Sequence, residues 1–209
     1  MRATRLLQCL PLLAFTGCVA VNDVLNTALA AALVPPVWSE NFESPIAGSY
    51  TVFRKGQSLV TATNNWQITA ASVDLVNVSR WRQTVAFDGK QVVDLAGSPG
   101  AGVMSTTIRT TPGQRYTLAF HYSRNNDLRA KPALARVEVF GAATLLRSEL
   151  QHVAPAPFNA YQRFSAAFVA DSPTTTLRFA GLNAGVAGLV IDAISVSGAA
   201  GVAAPRAGT

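Results

Sequence analysis

The segment Arg115–Tyr122 reads RYTLAFHY, and its alternation constrains the chain more than any other feature. Tyr116, Leu118, Phe120 and Tyr122 fall on one side of an extended strand, and Thr117, Ala119 and His121 on the other. Arg136–Val139 and Thr174–Phe179 repeat the pattern, which is that of antiparallel strands with one face buried and one solvated. The turns agree with the strands. Asp88-Gly89 is a hairpin signal between Phe87 and a strand over Gln91–Leu95, and Thr111-Pro112-Gly113-Gln114 has the Pro-Gly order of a type II turn. No amphipathic helical window interrupts this region, so ten or so short strands predict a β-sandwich in preference to a barrel.

Both cysteines, Cys9 and Cys18, lie in the first residues, MRATRLLQCLPLLAFTGC. Arg2 and Arg5 ahead of the apolar run Leu6–Phe15 read as a secretory leader, too short to span a bilayer. Two cleavage sites compete. Phe15-Thr16-Gly17-Cys18 resembles a bacterial lipobox, in which the cysteine is acylated and becomes the new N-terminus, whereas Ala28-Leu29-Ala30 is an A-x-A site that would release a free protein. A chain without any thiol after Cys18 forms no disulfide once processed, and this favours Cys18 as a lipid anchor. The expected organisation is a leader over 1–18, an Ala- and Val-rich linker over 19–37 ending in Pro35-Pro36, one β domain over 38–197, and a disordered Gly/Ala/Pro tail over 198–209. The expected location is therefore outside the cell, in the envelope of a bacterium or free.

Charge excludes one class of partner. Without Arg2 and Arg5 the chain keeps 15 Lys+Arg against 11 Asp+Glu, and these cations are scattered singly apart from Arg54-Lys55. Nucleic-acid binders gather them on one face or in a run. A hydrophobic fraction of 49% with 13% charged residues supplies core enough for one domain, and past the leader no apolar run approaches membrane-helix length. The membrane is then a partner through the lipid anchor only.

Two acids ask for partners. Period 2 along Leu189–Val196 puts Asp192 in register with Val190, Ile194 and Val196, on an apolar face, where a carboxylate needs a cation, a set of donors, or an exposed strand end. Glu43, in Asn41-Phe42-Glu43-Ser44-Pro45, stands in the expected first strand. Where the terminal strands are neighbours, Glu43 and Asp192 meet, and two carboxylates with backbone carbonyls form a hard oxygen site suited to structural calcium.

The elements NFESP, SVDLV, QVVDLAGSPGAGVMSTTIRTTPGQRYTLAFHYSRN and LVIDAISV, in this order, resemble the choice-of-anchor C family of exported bacterial proteins and the related plant cell-wall proteins of domain of unknown function 642. The likeness covers most of Glu40–Val196. It implies an all-β, antiparallel β-sandwich of jelly-roll type, similar to galactose-binding-like domains and carbohydrate-binding modules. It further implies that Glu43 and Asp192 stand where several such modules hold a structural calcium ion. The plant relatives' cysteines are missing here, so their disulfides do not transfer.

Enzyme patterns are poorly represented. His121 and His152 are the only histidines, no H-E-x-x-H or G-x-S-x-G occurs, and Ser98 in Gly97-Ser98-Pro99-Gly100 has no base nearby in sequence. His121 alternates onto a solvated face. Asp74, Asp88, Asp94 and Asp127 read as loop and strand-end acids, Glu138 and Glu149 as outer-face acids, and nothing in the spacing pairs them as hydrolysis of a glycoside requires. Sugar recognition fits better, because it uses flat aromatic faces with amide, guanidinium and hydroxyl groups. Among Tyr50, Trp66, Trp81 and Tyr161, Trp66 opens a strand and reads as core, while Trp81, between Arg80 and Arg82, reads as the exposed platform. The polar loop Ser123-Arg124-Asn125-Asn126-Asp127 supplies donors and acceptors. The expected ligand residues are thus Trp81, Arg82, Arg124, Asn125 and Asn126, for a non-catalytic module that binds a cell-wall or extracellular polysaccharide. The alternative is a structural or adhesive envelope protein without a sugar site.

Overall fold

Two antiparallel sheets face each other across a core that runs from Phe42 to Val196. The computed structural model describes residues 37–81, 85–128, 131–153 and 160–198. One sheet has the order β11 (Gln162–Val169), β8 (Arg115–Arg124), β13 (Leu189–Gly198), β6 (Gln91–Asp94), β5 (Ser72–Asn77), β2 (Tyr50–Arg54), with β1 (Trp38–Glu40) also paired to β13. The other runs β10 (Thr144–His152), β9 (Ala133–Phe140), β12 (Thr174–Gly181), β7 (Val103–Arg109), β4 (Asn65–Ala70), β3 (Ser58–Val60). The described residues contain one 3-10 turn, Asn126–Leu128, and no α-helix. The molecule is the all-β sandwich that the alternation predicts, of the jelly-roll type that the resemblance implies.

Strand periodicity builds the interface between the sheets. Tyr116, Leu118 and Phe120 of β8 meet Trp66, Met104, Val137 and Phe179 of the facing sheet, and Phe120 packs edge-on to Phe179 at 5.1 Å between ring centres. Trp66 is fully buried, as expected of a tryptophan opening a strand. The turn Thr111–Gln114 carries the chain from β7 in one sheet to β8 in the other. Its Gly113 adopts φ 81° and Gln114 N–H donates to Thr111 O at 3.1 Å, as a type II turn requires. The Asp88-Gly89 turn exists, with Gly89 at φ 65°, but it does not join two paired strands. β5 pairs directly with β6, so Asp88-Gly89 lies near the end of the connection between them, residues 78–90, of which Val78, Trp81 and Ala86 pack on the outer face of the seven-stranded sheet.

β1 pairs antiparallel with β13, Trp38 opposite Val196 and Glu40 opposite Ile194, so the terminal strands are neighbours. The acid carried inward by the first strand is Glu40, two residues after Trp38 on the same face, and not Glu43, which follows the strand. Glu40 is 4% exposed. Its oxygens accept from Phe42 N (2.8 Å), Thr61 Oγ1 (2.7 Å), Asn64 Nδ2 (2.8 Å) and Trp66 Nε1 (3.1 Å). Four donors around one carboxylate satisfy it without a cation.

Candidate functional site

The outer face of the seven-stranded sheet carries a second, small apolar cluster: Val76 on β5, Val92 on β6 and Val190 on β13, fully or almost fully buried. They are buried because Val78, Trp81 and Ala86 of the connection between β5 and β6 pack over them beside Tyr161. Strand alternation sends Asp74, Asp94 and Asp192 to this same face. Asp74 and Asp94 are cross-strand partners, and Val190 stands opposite Asp94 on the next strand.

Asp192 departs from the periodic expectation. A bulge between Asp192 and Ser195, with Ala193 at φ 49°, breaks the alternation of β13. Leu189, Ile191, Ile194 and Val196 all reach the main core as a result, and Asp192 does not share their face. It is fully buried beneath the connection: Oδ2 accepts from Phe87 N (2.8 Å) and Asp88 N (2.9 Å), and Oδ1 from Ala193 N (2.7 Å). Glu43 holds the same connection from the other side, its Oε1 accepting from Lys90 N and Gln91 N, both at 2.8 Å. Any side chain at Gly89 would collide with the Glu43 carboxylate. Of the three ways to satisfy Asp192, the donor set is the one present. Glu43 and Asp192 act as paired clamps on residues 87–91: Glu43 Oε1 and both oxygens of Asp192 accept backbone amide protons. Among the described residues no group of three or more His, Cys, Asp or Glu gathers to hold a metal. The amides satisfy Asp192 without an ion, so addition of EDTA is expected to leave the melting temperature unchanged. A rise of several degrees with calcium would contradict this.

Beside the cluster lies a cleft of about 200 Å³ lined by Tyr50, Asp74, Val76, Trp81, Ser98, Asn125, Asp127 and Val186. Tyr50, 45% exposed, meets the half-buried Trp81 edge to face with ring centres 5.3 Å apart. Trp81 is therefore both packed on the valine cluster and presented to the cleft. Asp94 is buried and accepts from Asn125 Nδ2 (2.7 Å) and Ala96 N (2.8 Å). Burial pushes its carboxyl up to about 7 against the hydrogen bonds of Asn125 and Ala96, and pushes Asp74 up to about 6 against the Ser98 amide and Arg54. Burial likewise raises Asp192 to about 7 despite its three amide donors.

All three carboxyls bind protons more tightly folded than unfolded. The stability they contribute is whole below the unfolded carboxylate range, about 4, and is lost as pH rises through 6 to 7. The melting temperature is expected to fall between about pH 5 and about pH 8, and to fall less in Asp94→Asn, by thermal denaturation at both pH values.

The remaining sequence-predicted residues are placed as follows. Asn125 lines the cleft, but it is 6% exposed and spent on Asp94 and on the Asp127 amide (2.9 Å). Arg124 is no loop residue: β8 continues to it, Leu189 of β13 stands opposite, and it is 2% exposed. Asn126 is exposed on the 3-10 turn and does not line the cleft. Arg82 and Cys18 lie outside the described residues, as do the leader, nearly all of the linker and the tail beyond Gly198. His121 is not simply solvated, because Phe87 stacks on its ring at 3.5 Å between centres, and burial lowers its basicity. Glu138 is buried on its sheet face beneath Arg178 (3.2 Å) and Arg147 (3.8 Å). Sequence reasoning left Asp74 and Asp94 unpaired and missed Tyr50 as the partner of Trp81. The one sequence signal for the acids was that each stands second to a core residue in an alternating run.

The family model described as "Protein of unknown function (DUF642)" matches residues 37–197, the whole sandwich up to its last strand. The chain belongs to the DUF642 family. Within that family match lie both sheets, the clamped connection and the cleft. No curated protein matches the sequence. Among solved structures, this DUF642 chain is similar to the CBM22-1 xylan-binding domain from Paenibacillus barcinonensis Xyn10C, at 11% identity over 79% of this chain and 95% of that one, TM-score 0.48. It is also similar to TmCBM61, solved in complex with beta-1,4-galactotriose, at 11% identity over 75% of this chain and 92% of that one, TM-score 0.49.

Proposed function

We propose that this domain binds a polysaccharide through the cleft beside the 78–90 connection and performs no chemistry on it. The observation that carries the proposal is the Tyr50–Trp81 ring pair set against polar groups in a concave site, with one ring open to solvent and the other anchored on the valine cluster. Rings held by packing present a flat apolar face to sugar C–H surfaces at little entropic cost. Asp74, Ser98 and Asp127 stand beside them to bond hydroxyls. Asp74 and Asp94 sit side by side on adjacent strands of one wall, whereas hydrolysis places its two carboxylates on either side of the sugar. Affinity electrophoresis against a panel of cell-wall and extracellular polysaccharides tests this. Retardation by at least one glycan, lost in Trp81→Ala, supports it. Retardation by none, with envelope proteins co-purifying instead, would favour an adhesive protein without a sugar site, and turnover of a glycoside would contradict the absence of chemistry.

The module is further proposed to be exported and tethered through acylation at Cys18. The Gly-Cys pair behind a basic, apolar leader supports this reading. A Cys18→Ser form is expected to leave the membrane fraction, and one that stays there would contradict the anchor.

A further inference from the structure

We infer that the cleft selects a sugar bearing a free amine, its ammonium seated at Asp74 against the Tyr50–Trp81 rings; this rests on the glycan-binding reading above. The chain as a whole is basic, with 17 Lys+Arg against 11 Asp+Glu. The cleft reverses that balance: Asp74 and Asp127 line it, Asp94 stands directly beside Asp74 on the neighbouring strand, and no Lys, Arg or His is among the described lining residues. The cation that acts on Asp74 electrostatically is Arg54, an exposed residue at the end of β2 that does not line the cleft.

Asp74 itself is the second, independent sign. Only 9% of it is exposed, and its Oδ1 is buried with no hydrogen-bond partner. Buried carboxylate oxygens are nearly always satisfied, and one left without a donor is costly. A side chain at Gly97 would collide with this oxygen, so the glycine is what lets it pack there. The neighbouring Asp94 has its oxygens taken by Asn125, Ala96 and Gly188, and Asp192 has both of its oxygens taken by amides. Of the two acids that line the cleft, Asp127 is exposed to water, and Asp74 is the one with a buried oxygen left unsatisfied.

Ligand chemistry follows from what that site lacks. A sugar hydroxyl supplies one neutral hydrogen bond and leaves the negative charge of the wall uncompensated. An ammonium supplies three donors, forms charge-assisted bonds with a carboxylate, and is attracted to the face of an adjacent tryptophan or tyrosine. The rings require that the cation ride on a body with flat C–H surface, which a pyranose has. A lysine side chain carries the same charge on a thin, flexible stem that would not cover both rings.

The test is calorimetric titration of the full chain with three oligosaccharides of equal length and linkage: β-1,4-glucosamine, its N-acetylated form, and β-1,4-glucose. The amine oligomer is expected to bind at least tenfold more tightly than the other two, with the preference weakened by salt. Asp74→Asn is expected to abolish the preference while Trp81→Ala weakens all binding. Equal, Trp81-dependent affinity for the three would overturn the amine inference and leave the glycan reading standing. Absence of binding to all three and to the wider polysaccharide panel would remove both. Binding of a lysine-rich peptide in place of the amine oligomer would also overturn the inference, since it would show charge recognition without a sugar.

Discussion

Glu40→Ala is expected to destabilise the domain more than any other single change at a polar residue. Its carboxylate collects the Trp66 indole N–H, the Thr61 hydroxyl and the Phe42 backbone N–H inside the sandwich, and the Asn64 amide at its edge. Removing it leaves these donors buried with nothing to accept them, at about 1–3 kcal/mol for each that water cannot reach. Asn64 sits toward the surface and can recruit water, so the loss concentrates on Trp66, Phe42 and the buried Thr61 hydroxyl, for a total of about 4 kcal/mol. In a domain of this size that lowers the melting temperature by roughly 10 °C. Glu40→Gln keeps one acceptor oxygen and is expected to lose about half as much. The damage extends beyond one strand, because Trp66 packs against Trp38, Phe42 and Phe179 with ring centres 5.7–5.9 Å apart. A Glu40→Ala melting temperature within two or three degrees of the parent would show that β1 and Trp66 are held by packing alone.

The second large effect concerns binding. Trp81→Ala is expected to reduce glycan affinity about thirtyfold, the scale at which a buried-edge tryptophan acts as an anchor in recognition sites. The same substitution removes a ring from the valine cluster on the outer sheet face, so some loss of stability accompanies it. Tyr50→Ala separates the two contributions. Tyr50 is 45% exposed and meets Trp81 edge-on without joining the valine cluster, so its removal is expected to weaken binding severalfold with little change in melting temperature. If Tyr50→Ala and Trp81→Ala both melted like the parent and bound glycan as well as it does, the ligand would have to sit elsewhere on the sandwich.

The fold was legible where local periodicity and global packing agree. Arg115–Tyr122 alternates as the sandwich requires, and the Pro-Gly turn at 112–113 switches sheets as its dihedrals demand. The β1–β13 pairing followed from the placement of terminal strands, yet the acid assigned to it was three residues off. A three-residue strand has too little pattern to distinguish Glu40 inside it from Glu43 beyond it. Asp192 was misplaced for a different reason. Strict period 2 assumes an unbroken ladder, and one bulge at Ala193 reverses the sense of every residue after it. Arg124 was read as loop because its side chain is charged, but a strand ten residues long carries it into the sheet, where partners decide what burial costs.

The candidate site was legible only in its tryptophan. Asp74 and Asp94 are far apart in sequence, and it is the register between β5 and β6, fixed across the 78–90 connection, that sets them side by side. Tyr50 arrives from a third strand. Such a site is a product of register, which short-range spacing does not encode.

Amide chemical-shift mapping of a retained oligosaccharide on the full chain is the most direct measurement. Shifts are expected to concentrate at Tyr50, Asp74, Trp81, Ser98 and Asp127, around the cleft that holds the Tyr50–Trp81 ring pair. Shifts confined to the outer face of the six-stranded sheet, or none with any glycan that the protein retains, would contradict that placement.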